Sequence, residues 1–308
     1  MSTNEAIFIA RFRNRLYSRK NIPKRSGDER TLRIPQRRLK MLQRRILPLL
    51  EQLYAPRGPV HGFTSGKSHI SNAQQHVGRK FLLNVDLEDF FGTITENRVV
   101  GLFQSMGIDP TTSTLVGKIC CLKGELPQGA PTSPIISNMI CYRLDGELLR
   151  YARDNRILYT RYADDLTFST FNNPSSLVER PGQTGQVKLA DLNAEIRLTL
   201  LSNGFSANEQ KIWFQSRQCR MRVTGLVVNE FLNIDRRYIR NLKTVIHKAE
   251  KAGWAATQAE YVRAYGGKND LKQSIRSKLT YLAAIRGRSN STFIRLAKRF
   301  NAISALPP

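Results

Sequence analysis

Acidic residues are scarce in this chain: 24 Asp and Glu stand against 49 Lys and Arg, leaving a formal charge of +25. A shortage of that size argues against a basic partner and favours a polyanionic one, because each cation placed on a phosphate releases condensed counterions. Cysteine is also sparse. Cys120, Cys121, Cys141 and Cys219 include no C-x-x-C spacing, so neither a zinc site nor a disulfide framework is indicated, and buried thiols in a reducing cytoplasm are expected. No apolar run approaches the roughly 20 residues of a membrane span. The stretch from Met1 to Arg15 carries charge too early and too often for a signal-peptide core. No internal repeat of the length used by solenoids or propellers is present. These absences predict a soluble, cytoplasmic protein with no membrane partner.

What is present is long enough, at 308 residues, to bury a core in one to three compact units. The charge is not spread evenly. Residues 11–45 hold 14 basic and 2 acidic residues, and residues 236–308 hold 16 and 3. Their net charges of +12 and +13 account for the whole excess, so the rest of the chain is neutral overall. A neutral body between two basic ends suits a catalytic centre flanked by surfaces that grip a phosphate backbone. A merely solubilising surface is the alternative.

Residues 1–20 read as a basic, helical arm, and residues 22–35 as two short strands about a polar, Gly-containing turn. Leu39, Leu42, Ile46, Leu49, Leu50 and Leu53 recur at helical spacing over residues 36–54, predicting an amphipathic helix with a basic outer face. Residues 81–86 form an apolar run ending in a carboxylate, as a buried strand that stops at a site does. Helical stretches are predicted over 95–122, 133–153 and 189–203, with Gly204 as a stop. A hairpin is predicted over 157–170 and a Pro/Gly/Ser/Asn-rich loop over 172–186. Short strands follow near 212–214, 219–228 and 231–234, and the C-terminal remainder reads as basic helices.

Two places carry chemistry. Tyr162-Ala163-Asp164-Asp165 sets adjacent acids at the tip of the predicted hairpin. Alone, this could be an ordinary Asp-Asp turn, since Asp tolerates left-handed backbone and caps its own amides. Asp86 lies far earlier in the chain, at the end of an apolar strand; alone, it could be a helix N-cap. Together they form a strand-end acid and a hairpin acid pair. Two magnesium ions about 4 Å apart need such carboxylates, from adjacent strands, to hold an attacking 3′-oxygen and a leaving pyrophosphate.

Asp86, Leu126-Pro127-Gln128-Gly129-Ala130-Pro131, Tyr162-Ala163-Asp164-Asp165, Gly204 with Asn208 and Lys211, and Val223-Thr224-Gly225 resemble, in order and spacing, the motifs of reverse transcriptases. The resemblance covers about residues 20–235. It implies an α+β, right-hand polymerase: an N-terminal arm and fingers over 1–80, a palm of antiparallel sheet plus helices over 81–235 (with part of the fingers around 95–130), and a helical, basic thumb over 236–308. It further implies that Asp86, Asp164 and Asp165 are catalytic and hold two Mg2+ ions, with Leu87 at the same metal site. Lys24 and Arg30 would grip the triphosphate of a dNTP, Gln128 would position nucleotide and template, and Lys211 would protonate pyrophosphate. Phe91 would press on the sugar's 2′ position and so select deoxynucleotides, whereas Phe90 would be core. Ala163 would lie under the primer end.

Asn72-Ala73-Gln74-Gln75-His76 and Val223-Thr224-Gly225 further resemble segments of retron reverse transcriptases, implying RNA or primer contacts, or scaffold roles, for Asn72, His76, Val223, Thr224 and Gly225. That type implies a cognate structured noncoding RNA as template and primer, a 2′-hydroxyl priming site and a branched RNA–DNA product. It also implies anti-phage defence with a separate effector protein, since the chain ends at Pro308 without room for a fused toxin. Other bacterial reverse transcriptases, group II intron-like or of another defence type, would share the palm motifs without this pair. A noncatalytic RNA-binding protein on a retired polymerase fold would not need all three acids. Residues 62–68 mimic a phosphate-binding loop, but with three residues between the glycines where four are required; Lys67 is expected to touch nucleic acid instead.

Overall fold

The computed structural model describes residues 3–23, 29–182, 184–265 and 270–304. The chain divides into two compact units: one of residues 1–75 and 79–219, the other of residues 76–78 and 220–308.

The first unit is built on a five-stranded antiparallel sheet in the order β4-β5-β3-β7-β6. The strands are β3 (Phe81–Asp86), β4 (Leu158–Tyr162), β5 (Asp165–Thr170), β6 (Gly185–Gln186) and β7 (Trp213–Ser216). β3 sits in the middle and is apolar almost throughout, because both of its faces are covered. Leu82, Leu83 and Val85 are buried with Leu166, Phe168 and Phe214. Phe81 stacks on Phe214 at 6.0 Å and Tyr159 on Phe168 at 5.1 Å. Burying one such aliphatic side chain contributes about 1.5–3 kcal/mol. Helices α6 (Ser133–Ile140) and α7 (Tyr142–Asp154) supply the facing layer, through Ile135, Ile136, Met139, Leu144, Leu148 and Tyr151. The loop expected over 172–186 yields to structure at its end, where β6 joins the sheet edge.

Ahead of the sheet come α1 (Thr3–Phe12), the hairpin β1 (Tyr17–Pro23) with β2 (Glu29–Pro35), and the amphipathic α2 (Arg37–Leu53). A short α3 (His69–Gln75) follows. This helix was not predicted: with Ile70 as its one large apolar side chain it shows no helical period. The stretch expected as one helix over 95–122 is two, α4 (Glu96–Ser105) and α5 (Pro110–Cys120). Gly107 at φ 84° stops the first. Asp109 caps the second by accepting from Thr112 N, with Pro110 at its first turn. Cys141 similarly separates α6 from α7. Helix α8 (Ala194–Ser202) is capped by Asn193.

The second unit opens with the hairpin β8 (Arg222–Val223) and β9 (Leu226–Val227). Thr224 at φ 45° and Gly225 at φ 84° form its two-residue turn, a pairing of positive φ values for which glycine at the second position is well suited. The strand expected over 231–234 shrinks to a single bridge between Val227 and Asn233. Three helical segments follow: α9 (Arg236–Tyr265), broken at Gly253, α10 (Leu271–Arg286) and α11 (Ser291–Ser304). Leu271, Ile275, Leu279 and Leu282 of α10, with Leu296 and Phe300 of α11, form its apolar interior. Among the described residues, no helix is long and apolar enough to cross a membrane. Cys120, Cys121 and Cys141 are buried as expected, but Cys219 is exposed, because it lies in the turn after β7.

Candidate active site

The register of β3 against β5 makes Asp86 and Asp165 direct cross-strand partners. The amide of Leu87 donates to the carbonyl of Asp164 at 3.0 Å, so the hairpin tip is tied to the chain just after Asp86. Ala163 at φ 57° turns the chain between β4 and β5. Asp86 and the distant Asp164–Asp165 pair therefore share one end of the sheet. Beside them runs the segment from Gly204 to Lys211: Asn208 N donates to Asp86 O at 2.8 Å, and Lys211 Nζ to Asp86 Oδ1 at 2.8 Å.

A cavity of about 400 Å3 opens at this sheet end, and its wall includes Arg30, Asp86, Leu87, Phe91, Gln128, Asp164 and Lys211. Arg33 and Asp89 also face it; neither was predicted, although the period-two alternation of β2 places Arg33 on the same face as Thr31 and Glu29, which line the same space. The hairpin β1–β2 is held over the cavity because Arg33 N donates to Gln128 O at 2.8 Å. Gly129 leaves room for that approach: at φ 119°, a Cβ there would stand 3.0 Å from Arg33 O. Phe90 is buried at the base of the wall and stacks on Phe205 at 5.8 Å, while Phe91 is half-buried on the wall.

Other predicted positions lie elsewhere. Asp165 and Ala163 belong to the turn but not to the cavity wall. Lys24 falls outside the described residues. Asn72 and His76 are fully buried, as scaffold residues are, and neither Asn72 Nδ2 nor Oδ1 has a hydrogen-bond partner among the described residues. In the second unit Val223 is buried and Gly225 exposed. Lys67, expected to touch nucleic acid, donates its ammonium to the carbonyls of Gly58 and Val60 within its own loop.

Electrostatics mark the carboxylates as crowded. Desolvation first, and then the charge of Asp86, raise the pKa of Asp164. Desolvation, with repulsion from Asp164 and Asp86, pushes Asp165 up to about 7. Water still reaches the Asp165 side chain, so like-charge repulsion is the firmer of those causes. Among the described residues, no three His, Cys, Asp or Glu side chains form a ready-made metal cage. The donor set nonetheless suits a hard divalent cation, which takes one or two protein carboxylates and completes its shell with water and substrate phosphates. A cation already sits on Asp86, in the form of the Lys211 ammonium.

A sheet end that gathers acids beneath a basic hairpin defines a nucleotidyl-transfer site on a right-hand polymerase fold. The description "Reverse transcriptase (RNA-dependent DNA polymerase)" matches residues 22–228. The chain is 34% identical over 292 residues to the retron Ec86 reverse transcriptase of Escherichia coli, covering 94% of this chain and 81% of that one. It is 36% identical over 254 residues to the retron Mx162 reverse transcriptase of Myxococcus xanthus, covering 75% of this chain and 52% of that one, so it spans about half the length of that relative. The chain therefore belongs to the reverse transcriptase family, RNA-directed DNA polymerases, and within it to the retron type. Among solved structures, apo telomerase from Candida tropicalis shares the fold, with a TM-score of 0.52 at 12% identity, covering 94% of this chain and 58% of that one. Reverse transcriptases generally use divalent metal ions.

Proposed function

We propose that this chain copies part of a cognate structured noncoding RNA into DNA, starting from a 2′-hydroxyl of that RNA and leaving a branched RNA–DNA product. The observation that carries this reading is the meeting of Asp86 with Asp164 and Asp165 beside a cavity whose wall also carries Arg30, Arg33, Lys123 and Lys211. Asp86, Asp164 and Asp165, with Leu87 adjacent, would hold two Mg2+ ions, which when bound supply Lewis acidity to the attacking and leaving oxygens.

The remaining roles belong to the chain. Arg30, together with Lys24, grips the triphosphate from the hairpin. Gln128 orients nucleotide and template. Phe91 fills the space a ribose 2′-hydroxyl would need, so the nucleotides taken are dNTPs. Lys211 leaves Asp86 and gives a proton to departing pyrophosphate. Ala163 supports the primer end, and Asn72, His76, Val223, Thr224 and Gly225 serve the retron-specific RNA, by contact or as scaffold. In this reading residues 1–80 and the region around 95–130 are fingers, 81–235 palm and 236–308 thumb. The protein works in the cytoplasm, in anti-phage defence, with a separate effector protein.

The test is the product. Nucleic acid co-purified with the chain from its native locus is digested with RNase, with DNase, or with both. A species that survives either nuclease in part and migrates as a branch supports the reading. Linear complementary DNA alone would sink it.

A further inference from the structure

Beneath the catalytic turn lies a charge pair that no step of polymerisation touches. Arg161 on β4 and Asp145 on α7 both have 0% side-chain exposure. Arg161 Nε donates to Asp145 Oδ1 at 2.7 Å and Nη2 to Oδ2 at 2.6 Å, while the Tyr159 hydroxyl donates to Oδ1 at 2.8 Å. The remaining nitrogen, Nη1, donates to Asn138 Oδ1 at 3.0 Å and to the carbonyl of Ala163 at 3.1 Å. Asn138 on α6 passes the connection on, its Nδ2 donating to the Gly62 carbonyl at 3.0 Å.

Gly62 closes the circuit from the other side. The amides of His61 and Gly62 donate to the Arg161 carbonyl at 2.8 and 3.4 Å. The contact with the turn is so close that a Cβ at Gly62 would stand 2.2 Å from Ala163 N. Gly62, which the sequence offers as part of a false phosphate-binding loop, is here because only a residue without a side chain lets that backbone touch the turn.

A sealed ion pair is a poor source of stability, since desolvating both charges offsets most of their attraction and an apolar replacement often does as well. What a bidentate guanidinium does supply is a single geometry. The geometry needed is specific. Ala163 is held in the left-handed region at φ 57°, which an L-residue adopts only under constraint. Arg161 takes its carbonyl on the inner side, Gly62 abuts its amide, and Leu87 fixes the next carbonyl, that of Asp164. Rotating Ala163 out of this region would swing Asp164 and Asp165 away from Asp86.

We propose that Asp145, Arg161, Asn138 and Gly62 are positioning residues that lock Ala163 and thereby aim the Asp164 and Asp165 carboxylates at Asp86. The proposal rests on the polymerase reading for the identity of the reaction, but its geometric content stands apart from it. Asn138→Leu cuts the link to Nη1 without unpairing a full charge, and Gly62→Ala displaces the turn without altering any network side chain. Both variants and the wild type, as full-length chains, are compared by thermal melting, by equilibrium Mn2+ binding followed by electron paramagnetic resonance, and by single-nucleotide extension of a preformed primer–template. The expectation is a cooperative melt, weaker Mn2+ binding, and kcat lower by on the order of 10- to 100-fold, because a displacement of about 1 Å at reacting groups costs that much. KM for the nucleotide should move little, since Arg30 and Gln128 lie outside the network. A lowered melting temperature with wild-type Mn2+ affinity and wild-type kcat below that temperature would overturn the proposal. If Asn138→Leu fails to fold, Gly62→Ala decides the matter alone. A wild type that binds Mn2+ but extends no primer would remove the polymerase reading, and the Mn2+ comparison would still decide the positioning role.

Discussion

Two ion pairs flank the carboxylate end of the sheet, and they differ in what surrounds them. Arg161–Asp145 is sealed, with no side-chain exposure on either partner. Lys211–Asp86 is open, with the lysine 58% and the aspartate 12% exposed. Removing one partner of a sealed pair leaves an uncompensated buried charge and costs about 3–5 kcal/mol. A lysine that stands mostly in water is held only weakly by its partner, so it can leave during a reaction cycle. The inner pair can therefore set a geometry, and the outer can trade partners.

The largest expected effect tests the turn that both pairs serve. Asp164→Asn removes a negative ligand without removing any phosphate grip. Extension should fall by on the order of a thousand-fold, the loss of several kcal/mol of charge stabilisation, while RNA retention in a filter-binding assay stays within about two-fold, given that the mutation leaves every phosphate-contacting cation in place. Near-wild-type extension would show that the carboxylates do not hold the reacting centre. Next comes the sealed pair itself. Arg161→Met should lower unfolding free energy in urea by about 3–5 kcal/mol, and adding Asp145→Leu should recover most of that loss by removing the stranded charge. Extension should not recover with it. A double variant with both stability and rate restored would reduce the inner pair to packing.

How much of this was legible follows from how each residue announces itself. Asp86 and the Asp164–Asp165 turn stand out only together, because an acid ending an apolar strand and two acids at a hairpin tip jointly suit one metal-binding site. The amphipathic α2 follows from period alone, and the hairpin from its polar turn, although its first strand begins at Tyr17, inside the stretch read as a helical arm. The inner network did not show itself in the same way, because its members sit inside elements whose polar residues look solvated. A signal was present: Asp145 shares a helical stripe with Leu148 and Ala152, all buried, and a carboxylate in an apolar stripe needs a partner. Nothing in the sequence says that the partner is Arg161, since that contact depends on how α7 packs on β4. The break at Gly253 in α9 was equally hidden, as an isolated glycine within a helical pattern is usually tolerated.

The open pair gives a smaller effect of the opposite kind from Arg161. Lys211→Ala should leave the urea midpoint almost unchanged, within about 1 kcal/mol of unfolding free energy. It should slow extension by on the order of a hundred-fold, if the lysine delivers a proton to pyrophosphate. Lys211→Arg, which keeps the charge but holds its proton too tightly to transfer it, should then be nearly as slow as the alanine variant. Rates restored by arginine would make the residue a counter-charge to Asp86 and nothing more.

A third class of charge, neither sealed nor paired with a carboxylate among the described residues, lies along the helical unit. Arg236 and Arg240 are exposed and one helical turn apart at the start of α9, so both can follow a phosphate backbone. Replacing either with alanine removes no packing and should not alter stability beyond about 0.5 kcal/mol. Each replacement should instead flatten the dependence of log affinity on log salt by about 0.7 to 0.9, the counterion contribution of one phosphate contact. The extension rate on a saturating, preformed primer–template should be unchanged, because the reacting centre is built by the other unit. An unaltered salt slope in both single variants would mean that this part of the basic surface only keeps the protein soluble, and that the useful charge is confined to the neighbourhood of the turn.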